Sequence, residues 1–348
     1  MKIAIVVPSL KKTAPVNIAV SVYEKSKIQN NKKTKIDLYY LDSEKTENCY
    51  DIDNAIHLKN KKVLRKYDIV HSHGLRPDII NFIYSKERIR ITTIHSFIEK
   101  DLFLRYGIKG RIIAKIWLFI LKYFSICITI NNIANNFYSQ KNLNCCTIYN
   151  GIEFDKFDVL PNKYDKLKSE IKDKFSNKII IGSISHLEKI KGLYQLIKLV
   201  SEYDCYRAVI IGSGSQENDL IKYAKKLRAY DKIIFTGYLE HGSNYSSLFD
   251  VYIQPSLNEG FGLSIIEAIA KKVSIVCSDI PIFKELFSDD EVTFFELHNI
   301  SSLHRAVQIS LKNTEKKEKA YSLATNKFNQ DHMIKSYINI YEKNTNRK

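Results

Sequence analysis

Pro255-Ser256-Leu257-Asn258-Glu259-Gly260-Phe261-Gly262-Leu263-Ser264-Ile265-Ile266-Glu267-Ala268 is the stretch around which the rest of the chain can be read. Val251 to Ile253 end a buried strand, and Pro255 and Asn258 break it. A carboxylate follows, then two glycines that let a ligand approach the backbone. A helix is expected to open at about Leu263. Its free N–H groups and positive dipole end suit a phosphate, so Gly262 and Leu263 become candidates for a phosphate site. Glu267 lies about a turn further in, where a carboxylate accepts hydrogen bonds from sugar hydroxyls. An isolated pair of glutamates is an ordinary feature of a strand–loop–helix; the whole string is far more specific.

Outward from this stretch, apolar strand-like runs alternate with helical stretches, the pattern of a parallel α/β sheet. In the first half the runs are Ile3–Val7, Ile36–Tyr40, Ile69–His71, Ile91–Ile94, Ile126–Ile130 and Thr147–Tyr149. A second series begins at Lys178–Gly182 and continues at Ala208–Ile211, Ile233–Phe235, Val251–Ile253 and Ser274–Cys277. Asp155–Lys178 between them is polar and Lys-rich and reads as a linker plus a solvated helix. No internal repeat has a solenoid period.

Glu-Gly-Phe-Gly-Leu followed by Glu-Ala closely resembles the E-x7-E segment of the retaining family 4 glycosyltransferases. The resemblance implies an α/β protein of GT-B fold, two Rossmann-like domains facing each other across a cleft. The expected domains are residues 1–160 on the acceptor side, 161–325 binding a nucleotide sugar, and a C-terminal helix in 326–348 crossing back to the first. It implies that Glu259 lies near the transferred sugar and that Glu267 binds the ribose of a nucleotide donor. Downstream the chain departs from the family: Lys271, Lys272 and Ser274 stand where a small residue or glycine and a proline are usual.

Ser185-His186-Leu187-Glu188-Lys189-Ile190-Lys191-Gly192 follows the first strand of the second series. A lysine there neutralises a diphosphate leaving group. Lys191 matches the lysine of the family's Arg-Leu-x-x-x-Lys-Gly; His186 stands in place of the arginine and lacks its bidentate fork. Both are taken as diphosphate ligands. Gly237 and Tyr238, after the strand ending at Phe235, match the turn lying along the nucleotide base. Thr13, Ala14 and Asn17 occupy the loop that is glycine-rich in the family, near donor phosphates and acceptor. His95 falls at the carboxyl edge of a strand, where α/β sheets bind ligands, and matches the family's histidine contacting the donor sugar or phosphate. His71 and His73 end another strand; lacking a completing carboxylate or cysteine set, they read as a cleft wall rather than a metal pair.

Charge is the second compositional signal. Of the formal +16, residues 1–150 carry 25 Lys and Arg against 12 Asp and Glu, whereas residues 151–348 carry 29 against 26. An excess of +13 on one half points to an anionic partner, a membrane or an acidic glycan. A nucleic acid is disfavoured, because no recognition motif or aromatic platform appears. Within 111–124, Arg111, Lys115 and Lys122 fall within about 40° around a helical axis among apolar neighbours. This run reads equally as a core helix and as a membrane-surface helix, and it is too short and too charged to span a membrane. Met1-Lys2 leads straight into a strand, without a signal-peptide pattern, and the six cysteines lack metal spacing and read as reduced thiols.

The expectation is therefore a metal-independent, cofactor-free cytoplasmic glycosyltransferase, peripheral at the inner membrane face. It moves a hexosyl or N-acetylhexosaminyl group from a nucleotide-diphosphate sugar, a UDP-sugar, to a lipid-linked or growing cell-surface glycan of the capsule or lipopolysaccharide kind. A nucleotide-sugar epimerase or hydrolase of the same fold, and a non-catalytic nucleotide-sugar binder, are the alternatives.

Overall fold

A computed structural model describes residues 1–29, 34–43, 49–155 and 162–345. The chain forms two compact units, one of Met1–Gly151 with Gln330–Lys348, the other of Ile152–Asn329. The sequence draws these divisions after residues 160 and 325. The displacement has a local cause: Ile152 N–H donates to the Phe328 carbonyl at 2.9 Å and Ile152 bridges Asn329, which ties the chain after Gly151 to the second unit. Residues 156–161 of the expected linker and 346–348 of the expected tail lie outside the described residues.

The first unit holds a seven-stranded parallel sheet of β1 (Lys2–Ser9), β2 (Lys35–Asp42), β3 (Ile56–His57), β4 (Ile69–His73), β5 (Ile89–Ile94), β6 (Ile126–Thr129) and β7 (Cys145–Thr147), in the order β3-β2-β1-β4-β5-β6-β7. Ile3 to Val7 are fully buried, as expected of a parallel strand covered on both faces. β7 lies two residues earlier than the Thr147–Tyr149 run, because the ladder with β6 pairs Cys127 with Cys145 through Thr129 with Thr147. β3 has only two residues, too few to leave a pattern in sequence.

The helix Gln330–Thr345 belongs to this unit. Its Met333, Ile334, Tyr337 and Tyr341, on one face at helical spacing, share a core with Ile3, Ile5, Val7 and the helix Ala14–Gln29. Two hydroxyls enter that core with partners. Tyr341 Oη lies 2.7 Å from His71 Nδ1, and Tyr337 Oη lies 3.3 Å from Thr93 Oγ1, which is 2.9 Å from His71 Nε2.

The second unit holds a six-stranded parallel sheet of β8 (Ile179–Ile184), β9 (Tyr206–Ile211), β10 (Ile233–Phe235), β11 (Val251–Gln254), β12 (Ser274–Ser278) and β13 (Thr293–Phe295), in the order β10-β9-β8-β11-β12-β13. The order reverses between β8 and β11, so the loops leaving these neighbouring strands share one edge. Such a switch point is where doubly wound sheets bind ligands. Among the described residues, no helix is long and apolar enough to cross a membrane.

If the terminal helix completes the first unit's core, Tyr341→Phe leaves a buried ring nitrogen of His71 without its partner and lowers stability by about 1–3 kcal/mol. Ile334→Ala lowers it by roughly 2–5 kcal/mol. Urea unfolding followed by circular dichroism measures both, and changes within about 0.5 kcal/mol for both would show that the helix contributes no core.

Candidate functional site

β8 and β11 are adjacent, and their exit loops are pinned together by backbone. Leu257 N–H donates to the Ile190 carbonyl at 2.8 Å, and Gln195 Nε2 donates to the Pro255 carbonyl at 2.9 Å. Gly192 permits this approach: its φ is +63°, and a Cβ there would lie 2.1 Å from the Pro255 oxygen. Lys191 and Glu259, distant in sequence, are brought into an ion pair of 2.7 Å, their side chains 22% and 9% exposed.

Glu259 does not rest on the lysine alone. The same Oε1 accepts from Ser256 Oγ at 2.8 Å and from Gln254 Nε2 at 3.1 Å. Gln254 is held in turn, its Oε1 accepting from Tyr252 Oη at 2.7 Å and from Ser264 Oγ at 3.1 Å. A partly buried carboxylate with three donors on one oxygen is a charge made tolerable by its surroundings. Sequence reading passed over Gln254 and Ser264. A fully buried glutamine ending an apolar strand is the signal that marks the first. Ser264 stands in the quoted stretch itself, three residues before Glu267 on the same helix face.

The helix Leu263–Ala270 opens where the sequence places it, with Gly262 as its cap at φ +86°. A side chain at Gly262 would meet the Phe283 ring at 2.7 Å. Glu267, one turn in, lines a hollow of about 330 Å³ together with His186, Tyr238, Ser243 and Ser264. Burial pushes the Glu267 carboxyl up to about 7, opposed by a hydrogen bond from Ser243. His186 is 68% exposed, its Nε2 3.5 Å from Glu188 Oε1. Tyr238 stands at the rim, 66% exposed. Gly237 does not line the hollow; its carbonyl accepts the Gly212 N–H at 2.9 Å and fixes the turn beneath Tyr238.

The remaining candidates belong to the first unit. His95 follows β5, and its Nε2 lies 3.0 Å from His73 Nδ1. Burial pushes both histidines well below the ordinary imidazole range, so the contact is between neutral rings, one donating to the other. His71 and His73, expected as a cleft wall, are fully buried. β4 is a central strand, and the terminal helix covers His71. Thr13 and Ala14 are exposed at the start of the helix Ala14–Gln29, where Asn17 N–H donates to the Thr13 carbonyl at 2.8 Å. Asn17 Oδ1 is buried with no hydrogen-bond partner among the described residues. Also among the described residues, no cluster of three or more His, Cys, Asp or Glu side chains is arranged to hold a metal ion.

Residues 165–327 match the family model for glycosyl transferases group 1. The O-antigen biosynthesis glycosyltransferase WclY of Escherichia coli is 30% identical over 98% of both chains. An N-acetylgalactosaminyltransferase of Campylobacter jejuni, named for an acceptor carried on diphospho-undecaprenol, is 29% identical over 51% of this chain and 47% of its own. The fold is that of Anabaena HepE, solved in complex with UDP-glucose, with a TM-score of 0.80 at 15% identity over 99% of this chain and all of the other. The chain belongs to the group 1 glycosyl transferases, and its two parallel-sheet Rossmann-like units are those of the GT-B fold.

Proposed function

We propose that this glycosyltransferase uses a UDP-sugar and extends a lipid-linked or growing cell-surface glycan, with retention of anomeric configuration, in the manner of family 4. The observation that carries the reading is the Lys191–Glu259 pair beside a hollow that Glu267 lines. In this reading Glu267 takes the ribose hydroxyls, and Tyr238 with the Gly237 turn flanks the base. Lys191, His186 and the helix opening at Gly262 and Leu263 take the diphosphate. A diphosphate brought beside Glu259 is repelled unless a cation intervenes. Lys191 therefore shifts from Glu259 to the phosphates, and the freed carboxylate accepts from a hydroxyl of the sugar. His95 is assigned to the donor sugar or phosphate, and Thr13, Ala14 and Asn17 to the acceptor side or phosphate loop.

Retention by double displacement needs two carboxylates about 5 Å apart across the sugar. Here Glu259 alone is assigned to the sugar. The acceptor hydroxyl then attacks the anomeric carbon on the face from which the diphosphate departs, and a diphosphate oxygen takes the proton. The glycan class is supported by the names of the Escherichia coli and Campylobacter relatives, the latter for its lipid-linked acceptor. UDP is supported by the ligand of the Anabaena structure. The reading includes a cytoplasmic enzyme working at the inner membrane face.

Calorimetric titration with UDP and turnover with a UDP-sugar separate the roles. Lys191→Ala weakens UDP binding about ten- to hundredfold, the value of one charge-assisted hydrogen bond. Glu259→Gln releases Lys191, so UDP binds as well as before or more tightly while turnover collapses. His186→Arg keeps or improves binding. Wild-type behaviour of both Lys191→Ala and Glu259→Gln would reject the site.

A second prediction concerns pH. The folded value of Glu267 lies above the ordinary 4.5, so its contribution to stability is complete below that value and is lost as pH rises through about 7. Ribose hydroxyls donate to the carboxylate, so the intact UDP-sugar, whose own phosphates do not titrate here, binds about tenfold more weakly at pH 6 than at pH 8. Glu267→Gln flattens the profile and weakens binding at pH 8. An unchanged profile in that variant would remove Glu267 from the nucleotide site.

A further inference from the structure

Residues 111–121 of the sequence run 111–124 belong to a longer helix, Ile98–Leu121, which is capped by Lys122 and interrupted at Gly107 by φ 56° and ψ −134°. The arm after the break has two apolar faces. One is core: Ala114, Leu118 and Leu121 are buried with Phe124 and Cys127, and Trp117 Nε1 donates to the buried Asp78 at 2.8 Å. The other faces solvent. Ile108 is 75% exposed, Ile112 57%, Ile116 55% and Phe119 58%. At about 100° per residue these four side chains fall within about 80° of the helix circumference. Tyr123, also exposed, packs edge-on against Phe119 with ring centroids 5.5 Å apart and lengthens the ridge.

Single exposed apolar residues are ordinary, but a continuous ridge of five marks an interaction surface. Its borders state the partner's chemistry. On the same wheel Arg111, Lys115 and Lys122 run along one side of the ridge and Lys109 along the other. None of these four is ion-paired among the described residues. The Arg111 guanidinium lies 4.3 Å over the Phe103 ring. Lys100, Arg111 and Lys115 line a hollow of about 310 Å³ beside the ridge together with Phe103 and Glu99, and the Glu99 carboxylate is paired with Lys141 at 3.0 Å. An apolar centre edged by cations is the pattern of a helix lying in a membrane interface, its apolar side chains among the acyl boundary and its cations at the phosphates. The +13 excess of residues 1–150 supplies the same sign over the wider surface.

We propose that the Ile108–Leu121 helix docks the first unit in the plane of an anionic phospholipid bilayer, inserting Ile108, Ile112, Ile116 and Phe119 below the headgroups. The sequence leaves this run between a core helix and a membrane-surface helix; the exposed ridge, opposite the buried face, adds the second role to the first. The proposal stands apart from the donor chemistry, since docking is measured without a nucleotide sugar.

The test is co-sedimentation of the full chain with vesicles of phosphatidylglycerol and phosphatidylcholine in equal parts, and of phosphatidylcholine alone. The wild type sediments with the anionic vesicles only. Ile112→Ser, Ile116→Ser and Phe119→Ser together lower partitioning at least about tenfold. Arg111→Gln, Lys115→Gln and Lys122→Gln together lower it about ten- to hundredfold and reduce its salt dependence. Trp117 is the only tryptophan of the chain. On the core side of the helix, it reports folding of each variant and stays unquenched by lipids brominated on their acyl chains, whereas a tryptophan added by Ile116→Trp is quenched. Equal binding to both vesicles, full binding by the triple serine variant, or an unquenched Ile116→Trp would overturn the proposal. So would a dimer in size-exclusion chromatography that the serine variant dissolves and vesicles do not compete with, since a second copy would then cover the ridge.

Discussion

The contact between the loops leaving β8 and β11 organises everything the second unit presents. Parallel strands bring their carboxyl ends to one edge, and here two neighbours end in polar loops that must satisfy each other. One backbone hydrogen bond, Leu257 to Ile190, and one side chain, Gln195 to Pro255, close the seam. Only a residue without a Cβ fits at position 192. The closure sets Lys191 against Glu259, whose same oxygen also accepts from Ser256 and Gln254. Their pair is therefore well placed to respond to a competing anion, because a buried pair is worth little more than the desolvation it offsets.

Polarity is distributed differently in the first unit. Its buried histidines are kept neutral, and His71 is satisfied by two residues outside its own strand, Thr93 and Tyr341. The terminal helix thus completes a hydrogen-bonded core as well as an apolar one. The 108–121 helix adds a surface of another kind, with one apolar face committed to this unit and a second left to solvent. A helix apolar on two opposite sides needs two apolar environments, and the fold supplies one.

Much of this was legible in the sequence because it depends on local rules. The helix opening at Leu263 follows from Gly262 and the strand before it. β1 and β8 follow from unbroken apolar runs. The two-residue edge strand β3 was not legible, since it makes no period, and β13 was passed over although β10, equally short, was read. Nor was the partner of Lys191: spacing suggests a phosphate ligand but says nothing of the carboxylate that occupies it. His71 and His73, read as a cleft wall, are fully buried; a strand's end looks open until the element that covers it is known, and for His71 that element is the far end of the chain. The resemblance to family 4 supplied the order of the motifs; the hydrogen bonds through Gln254 and Ser264, which hold Glu259, came only with the fold.

The central claim is transfer of a sugar from a nucleotide donor to a glycan acceptor. The most direct measurement is mass spectrometry of the purified chain incubated with a panel of UDP-sugars, with and without a lipid-linked oligosaccharide. The account predicts that for one donor UDP is released and the acceptor gains the mass of a single sugar, both only when donor and acceptor are present together. Release of UDP or a changed sugar without acceptor, or no reaction with any UDP-sugar, would contradict it.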